Sequence, residues 1–352
     1  MQPKVLACSL ALGAGALMAR SPTVRAQDTN VYDFSNVAID GALLQPDGAL
    51  LQSTPVGPPS RDIEGELHEL LRAIDTNGGP PAVRLRAAQL LLQRADQLFR
   101  TRMEAEEEML LARRRRDPPT LARVERRRRA LGERERRARE RAFTQLDLIT
   151  RNLHTPPSPV VVTALHTLMR LSGSPAYEST AHDAALRIIE DCPACAEVPE
   201  AHMHIGERAF AAASLALAQT HYLEALRSAP STWIHGGYVH YKLGWTFFNL
   251  QRFDAAAREL ELAHATSTDP SLRNLPRQAA RDLMLVLTHT SRSPAEVVHT
   301  IRRLVSSASE ARGLAERYER TLRDQGRVPD ADQFRQAWSA EAGGSGVRGS
   351  QP

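Results

Sequence analysis

Cys192-Pro-Ala-Cys195 is the stretch whose residue types and spacing could do chemistry of their own. Two thiols at this separation can close a disulfide, shuttle electrons, or give a metal two sulfur ligands. Redox shuttling needs a helix N-terminus inside a thioredoxin-like strand–helix–strand unit, and no such pattern surrounds the pair. A metal would recruit His202 and His204 to complete a Cys2His2 zinc set. Those histidines lie two apart on a predicted helix, so they point about 200° away from each other. In an exported chain the expectation is a disulfide between Cys192 and Cys195, with unpaired thiols and a zinc site as alternatives. The loop it closes is short, so the bridge should stabilise little.

The rest of the sequence carries no catalytic frame. It has no glycine-rich phosphate loop, no nucleophile elbow and no paired carboxylates in a recognisable setting. Twelve histidines are scattered over predicted helices. The chain therefore reads as a non-enzyme that needs no cofactor and no metal. Residues 113–141 hold fourteen arginines against Asp117, Glu125, Glu133, Glu135 and Glu140. Interleaved aromatics are missing and acids are frequent, which argues against nucleic acid as a partner. The run reads as a solvated helical face, open to an acidic partner or an anionic surface. Lysine occurs only at positions 4 and 242, so no single arginine is informative by its type alone.

Export is the expectation for the N-terminus. Lys4 gives a positive start, V-L-A-C-S-L-A-L-G-A-G-A-L-M-A an apolar run, and V-R-A before Gln27 a small-residue cleavage site. Residues 1–26 thus read as a cleavable signal peptide and the mature protein as periplasmic. Lipidation at Cys8 would leave no room for an apolar region ahead of it. No later stretch is apolar enough for a transmembrane span. The signal carries three positive charges and no acid, so the formal +4 of the whole chain falls to +1 in the mature form.

The elements that position these residues are helices. Aromatics are only 5% of the 352 residues, and Ala, Leu and Arg dominate. Residues 27–60 read as a flexible arm containing the duplication G-A-L-L-Q-P-D-G-A-L-L-Q. Residues 61–155 read as a charged, coiled-coil-like helical hairpin. A first helix places Ile63, Leu67, Leu70 and Ile74 on one face, and Gly78-Gly79-Pro80-Pro81 stops it. A long helix over 82–116 offers Leu85, Leu92, Ala95, Phe99 and Leu110 to a buried stripe. Asp117-Pro118-Pro119 breaks it, and the next helix offers Leu121, Val124, Leu131, Ala138, Ala142 and Ile149. Folding about Pro118 sets Glu106, Glu107 and Glu108 against Arg129 and its neighbours. Residues 156–342 read as paired short helices, and 343–352 as a disordered tail. The fold class is all-α.

Within 241–263 the spacing is Leu243, Gly244, Phe247, Phe253, Ala256, Leu260 and Ala263. Small residues at 244 and 256 let two helices cross closely, and the bulky ones fill the wedge around the crossing. The preceding segment repeats the register through Ile205, Gly206, Ala218, Tyr222, Ala225, Leu226 and Pro230. The pattern resembles the tetratricopeptide repeat, with Gly206 and Gly244 spaced by 38 residues where that repeat has 34. Pairs at 158–190, 272–305 and 310–338 fit more loosely. More narrowly, Y-K-L-G-W-T-F-F-N-L, with the order signal, arm, charged helices, repeats, is similar to tetratricopeptide proteins of myxobacterial adventurous gliding motility.

That resemblance implies a superhelix whose concave face is lined by the first helix of each pair. It assigns the partner-binding groove to Met203, Glu207 and Phe210, then Tyr238, Tyr241, Trp245, Phe248 and Asn249, then Asp282, Val286 and His289. Of these, Phe248 is better placed as core, while Tyr241 and Trp245 fit either core or groove. The implied function is an exported scaffold that binds envelope proteins or peptides through the groove, in a motility-related assembly. The alternative is an accessory or metal-binding subunit of an envelope enzyme, built on the Cys192/Cys195 and His202/His204 cluster.

Overall fold

Helix boundaries follow the capping chemistry of the chain. The computed structural model describes residues 62–151, 157–171 and 177–344, and every regular element among them is helical. The signal segment, the arm over 27–60 and residues 345–352 lie outside the described residues. Asp62 accepts a hydrogen bond from the Gly65 N–H at 2.9 Å and opens α1 (Ile63–Asn77). Gly78 and Gly79, at φ +71° and +51°, end it. Pro81 starts α2 (Pro81–Arg115), at a position whose N–H would have no partner in any case. Asp117 caps α3 (Pro118–Thr150) by accepting from the Thr120 N–H at 3.2 Å.

Helices α2 and α3 lie side by side and antiparallel. Ion pairs cross between them from Arg139 to Asp96 (3.3 Å), Arg102 to Glu135 (3.0 Å), Arg128 to Glu106 (3.4 Å) and Arg123 to Glu108 (2.8 Å). Residue numbers rise along one helix as they fall along the other. The buried stripe of α3 runs through Val124, Leu131, Ala138, Ala142 and Ile149, with Leu121 half-buried beside it. The stripe of α2 differs from the expectation. Leu91, Ala95, Leu98, Ala105 and Ala112 are buried, whereas Leu92 and Phe99 are half-buried and Leu110 is 54% exposed. Alanines at the seam let the helices approach, and that approach turns Leu110 outward. Arg129 bonds Glu125 on its own helix instead of crossing.

Ten further helices follow: α4 (Pro159–Arg170), α5 (Glu178–Asp191), α6 (Val198–Ala211), α7 (Leu215–Ser228), α8 (Gly236–Asn249), α9 (Phe253–Thr266), α10 (Leu275–Leu287), α11 (Pro294–Leu304), α12 (Ala308–Asp324) and α13 (Val328–Gly344). Each helix from α4 to α9 packs on its predecessor and its successor. The pattern changes at α10, which also touches α8 and α12, while α11 packs on α12 and α13. One core joins α1, the inner ends of α2 and α3, and α4 to α6, through Leu67, Leu90, Leu146, Leu165, Ile188 and Ile205.

The α6–α7 and α8–α9 pairs repeat one set of contacts 38 residues apart. A Cβ on Gly206 would lie 2.8 Å from the Tyr222 ring, and one on Gly244 would lie 2.9 Å from Leu260 Cγ. Ala218 and Ala225 in the first pair, and Ala256 and Ala263 in the second, are fully buried at matching positions. The turns match too. Ala213 and Gln251 sit at φ +55° and +57°. After them the N–H groups of Ser214 and Arg252 each bond a carbonyl five residues back, both at 2.8 Å.

These two features predict opposite signs for two substitutions. Gly244→Leu should overpack the crossing and lower stability by about 1–3 kcal/mol. Gln251→Gly should raise it by about 1 kcal/mol, because glycine carries no left-handed penalty. Urea unfolding of both variants checks this, and a destabilised Gln251→Gly would contradict the turn geometry.

Candidate functional site

Helix α8 brings the expected groove residues together, because Tyr238, Tyr241, Trp245 and Asn249 recur at spacings of three and four. It lies between α7 and α9 and also touches α10. Six of the eleven assigned residues are nonetheless buried: Met203, Tyr241, Trp245, Phe248, Asp282 and Val286. Glu207, Phe210, Tyr238 and Asn249 are half-buried, and His289 is exposed. The surface open to a partner is therefore the rim formed by these last five, over a floor made by the other six.

The floor is held by a buried polar pair. Tyr241 Oη donates to Asp282 Oδ2 at 2.8 Å, and Gln278 Nε2 donates to both Asp282 oxygens at 2.9 and 3.1 Å. Burial pushes the Asp282 carboxyl above the usual range, against the pull of these donors and of Arg317 and Arg281. Burial, then the Asp282 charge, pushes the Tyr241 hydroxyl up as well. Trp245 sits edge-on to Tyr241 and to Phe248, with ring centroids 6.4 and 5.5 Å apart. Phe253 stacks on His289 at 4.9 Å. Asn249 turns back and donates to the Trp245 carbonyl at 3.1 Å.

A second network was missed in the sequence. Glu207 on α6 accepts from Tyr222 Oη on α7 at 2.6 Å and from Lys242 Nζ on α8 at 3.0 Å. The Lys242 ammonium also lies 4.4 Å from the centre of the Phe210 ring. Burial raises the hydroxyl pKa of both Tyr222 and Tyr238, and the Glu207 charge adds to it. The signal was available. Lys242 is the one lysine after residue 4 in a chain that otherwise uses arginine.

Cys192 and Cys195 are joined by a disulfide between α5 and α6, with Cα atoms 5.4 Å apart. His202 turns to His221 on α7, with Nδ1 atoms 3.0 Å apart. His204 is held elsewhere, and its Nε2 is buried without a hydrogen-bond partner. Among the described residues no three His, Cys, Asp or Glu side chains are placed to hold a metal. A cleft of about 620 Å³ opens near the C-terminal helices, lined by His264, Arg277, Arg281, Glu310, Arg317 and Arg320. None of the eleven assigned residues lines it.

No family model matches the chain, and no curated protein matches it. No described helix is long and apolar enough to cross a membrane.

Two predictions follow from this geometry. Trp245→Ala should lower stability by about 3–5 kcal/mol, as for other buried aromatics; an unchanged melting curve would place the indole outside the core. The histidines of α6 and α7 set a pH dependence. Burial, with the neighbouring His182 and Arg208 charges, pushes His204 down to about 4, and burial lowers His202 and His221 as well. In the unfolded chain these imidazoles take a proton near 6.5, so acid favours unfolding. The stabilisation is complete above about pH 6.5 and lost as pH falls towards 4; for His204 it amounts to about 2 kcal/mol between pH 7 and 5. His204→Gln should lose less stability over that interval, and an equal loss would remove His204 as the source.

Proposed function

We infer that the chain is an exported, non-catalytic scaffold of tetratricopeptide type, which binds protein partners in a cell-envelope assembly. The observation that carries this reading is the duplicated helix pair. Gly206 with Tyr222, and Gly244 with Leu260, make the same close crossing in the same register, followed by the same left-handed turn. Stacked pairs of this kind curve into a superhelix and present a concave face. The long α2–α3 hairpin stands ahead of that stack in the chain.

The partner surface is the rim of Glu207, Phe210, Tyr238, Asn249 and His289. It mixes aromatic area with a few polar groups, the composition that protein interfaces favour. The buried residues beneath it make the floor rigid, which lowers the cost of ordering on binding. Export rests on residues 1–26, and the motility-related resemblance directs the search to envelope complexes of surface movement.

The test is capture from envelope extract on the immobilised mature protein, comparing the parent with the Phe210→Ala/His289→Ala double variant. Phe210 lies on α6 and His289 in the turn that follows α10, so both ends of the rim are altered. Specific capture by the parent, lost in a variant that melts as the parent does, is the expected result. Equal capture by both would sink the groove reading. Recovery of the protein from the cytoplasm with Met1 retained would sink the export reading separately.

A further inference from the structure

The outer half of the α2–α3 arm packs on itself alone, through Leu98, Ala105, Val124, Leu131 and Met109. Helix α1 pairs with α2 no further along than Arg94, and the α5 end reaches α3 at Phe143, against Tyr177. From Ala95 to Arg115 the arm therefore extends about 30 Å at 1.5 Å per residue. Its end carries two features that do not belong together on an ordinary solvated surface. Leu110 and Leu111 are 54% and 49% exposed. Directly after them Arg113, Arg114, Arg115 and Arg116 are exposed, and none forms an ion pair among the described residues. Leu110 and Arg114 share a helix face one turn apart, as do Leu111 and Arg115.

We propose that this end of the arm docks on an anionic phospholipid surface. The two leucines enter the boundary between headgroups and acyl chains, while the guanidinium groups bind lipid phosphates. An extended end suits a flat surface, and the free arginines match its charge. An acidic protein would use the same arginines but would not require exposed leucines one turn before them. The surface is separate from the groove on α6, α8 and α10, so either can fail without the other.

The experiment is co-sedimentation of the chain, as purified from cells, with vesicles of phosphatidylglycerol and phosphatidylethanolamine, and with neutral phosphatidylcholine vesicles. The parent should sediment with the anionic vesicles, release as salt is raised, and remain in solution with the neutral ones. Leu110→Ser/Leu111→Ser should weaken partitioning about tenfold or more. Arg114→Glu/Arg115→Glu should abolish it. All four side chains are exposed, so circular dichroism should show both variants as helical as the parent. No sedimentation of the parent with anionic vesicles at low salt overturns the proposal. So does undiminished binding of the leucine variant, which would mark the end as a general polyanion site suited to an acidic protein.

Discussion

The space left by Gly206 and Gly244 decides how closely α6 meets α7 and how closely α8 meets α9. A side chain there would meet Tyr222 or Leu260 at under 3 Å, well inside carbon–carbon contact distance. Without one, the aromatic ring of Tyr222 packs closely against Gly206 and is fully buried. That position carries its hydroxyl to Glu207, and Glu207 in turn reaches Lys242 on the next pair. A backbone approach thus sets the spacing within one pair and also places the group that links it to its neighbour. The groove rim inherits its positions from this chain of contacts, since Glu207 and Phe210 stand on the same helix as Gly206.

Polar groups decide which faces meet. An unpaired carboxylate beneath α8 would carry a heavy desolvation penalty, so Asp282 is tolerated only where Tyr241 and Gln278 both reach it. Glu207 is similarly served by Tyr222 and Lys242. Such pairs add little net stability over apolar packing, but removing one partner costs several kcal/mol. A misaligned stack would strand these groups, whereas a purely Leu and Ala interface would tolerate sliding. The order in which α6, α7, α8 and α10 assemble is therefore fixed by a few hydrogen bonds, within a core that supplies the bulk of the burial.

Legibility in the sequence divides along physical lines. Helix ends at Asp62, Gly78, Pro81 and Asp117 could be read because capping and φ restriction are local. The α6–α9 crossings could be read because small and large residues recur in register. Burial on the groove face could not. Spacing along α8 puts Tyr241, Trp245 and Asn249 together, but whether that face is covered depends on α10, which begins at Leu275. The turn at Gln251 shows a similar limit. Its residue type argues against a left-handed turn, and packing of the α8–α9 pair imposes one anyway. Residue types in α2 pointed the wrong way for another reason. Leu92, Phe99 and Leu110 look like a stripe, yet a close antiparallel partner prefers the narrower face of Leu91, Ala95, Leu98, Ala105 and Ala112.

That narrow seam raises a problem of its own. Alanine-rich stripes interlock weakly, and a helical arm built on them could slide by one heptad at little cost. Arg102 lies between Leu98 and Ala105 on the α2 stripe, and Glu135 lies between Leu131 and Ala138 on the α3 stripe. The two meet at 3.0 Å, with Glu135 buried. Moving either helix by seven residues would set Glu135 against Ala95 or Met109, leaving it only the 3.4 Å contact with Arg139 on its own helix and breaking the other pairs that cross the seam. This buried pair, together with the cross-helix pairs of Arg123, Arg128 and Arg139, therefore favours one register of the arm. These pairs act in the half of the hairpin that packs on itself, where Leu110, Leu111 and the four arginines stand in consecutive turns at the end of α2.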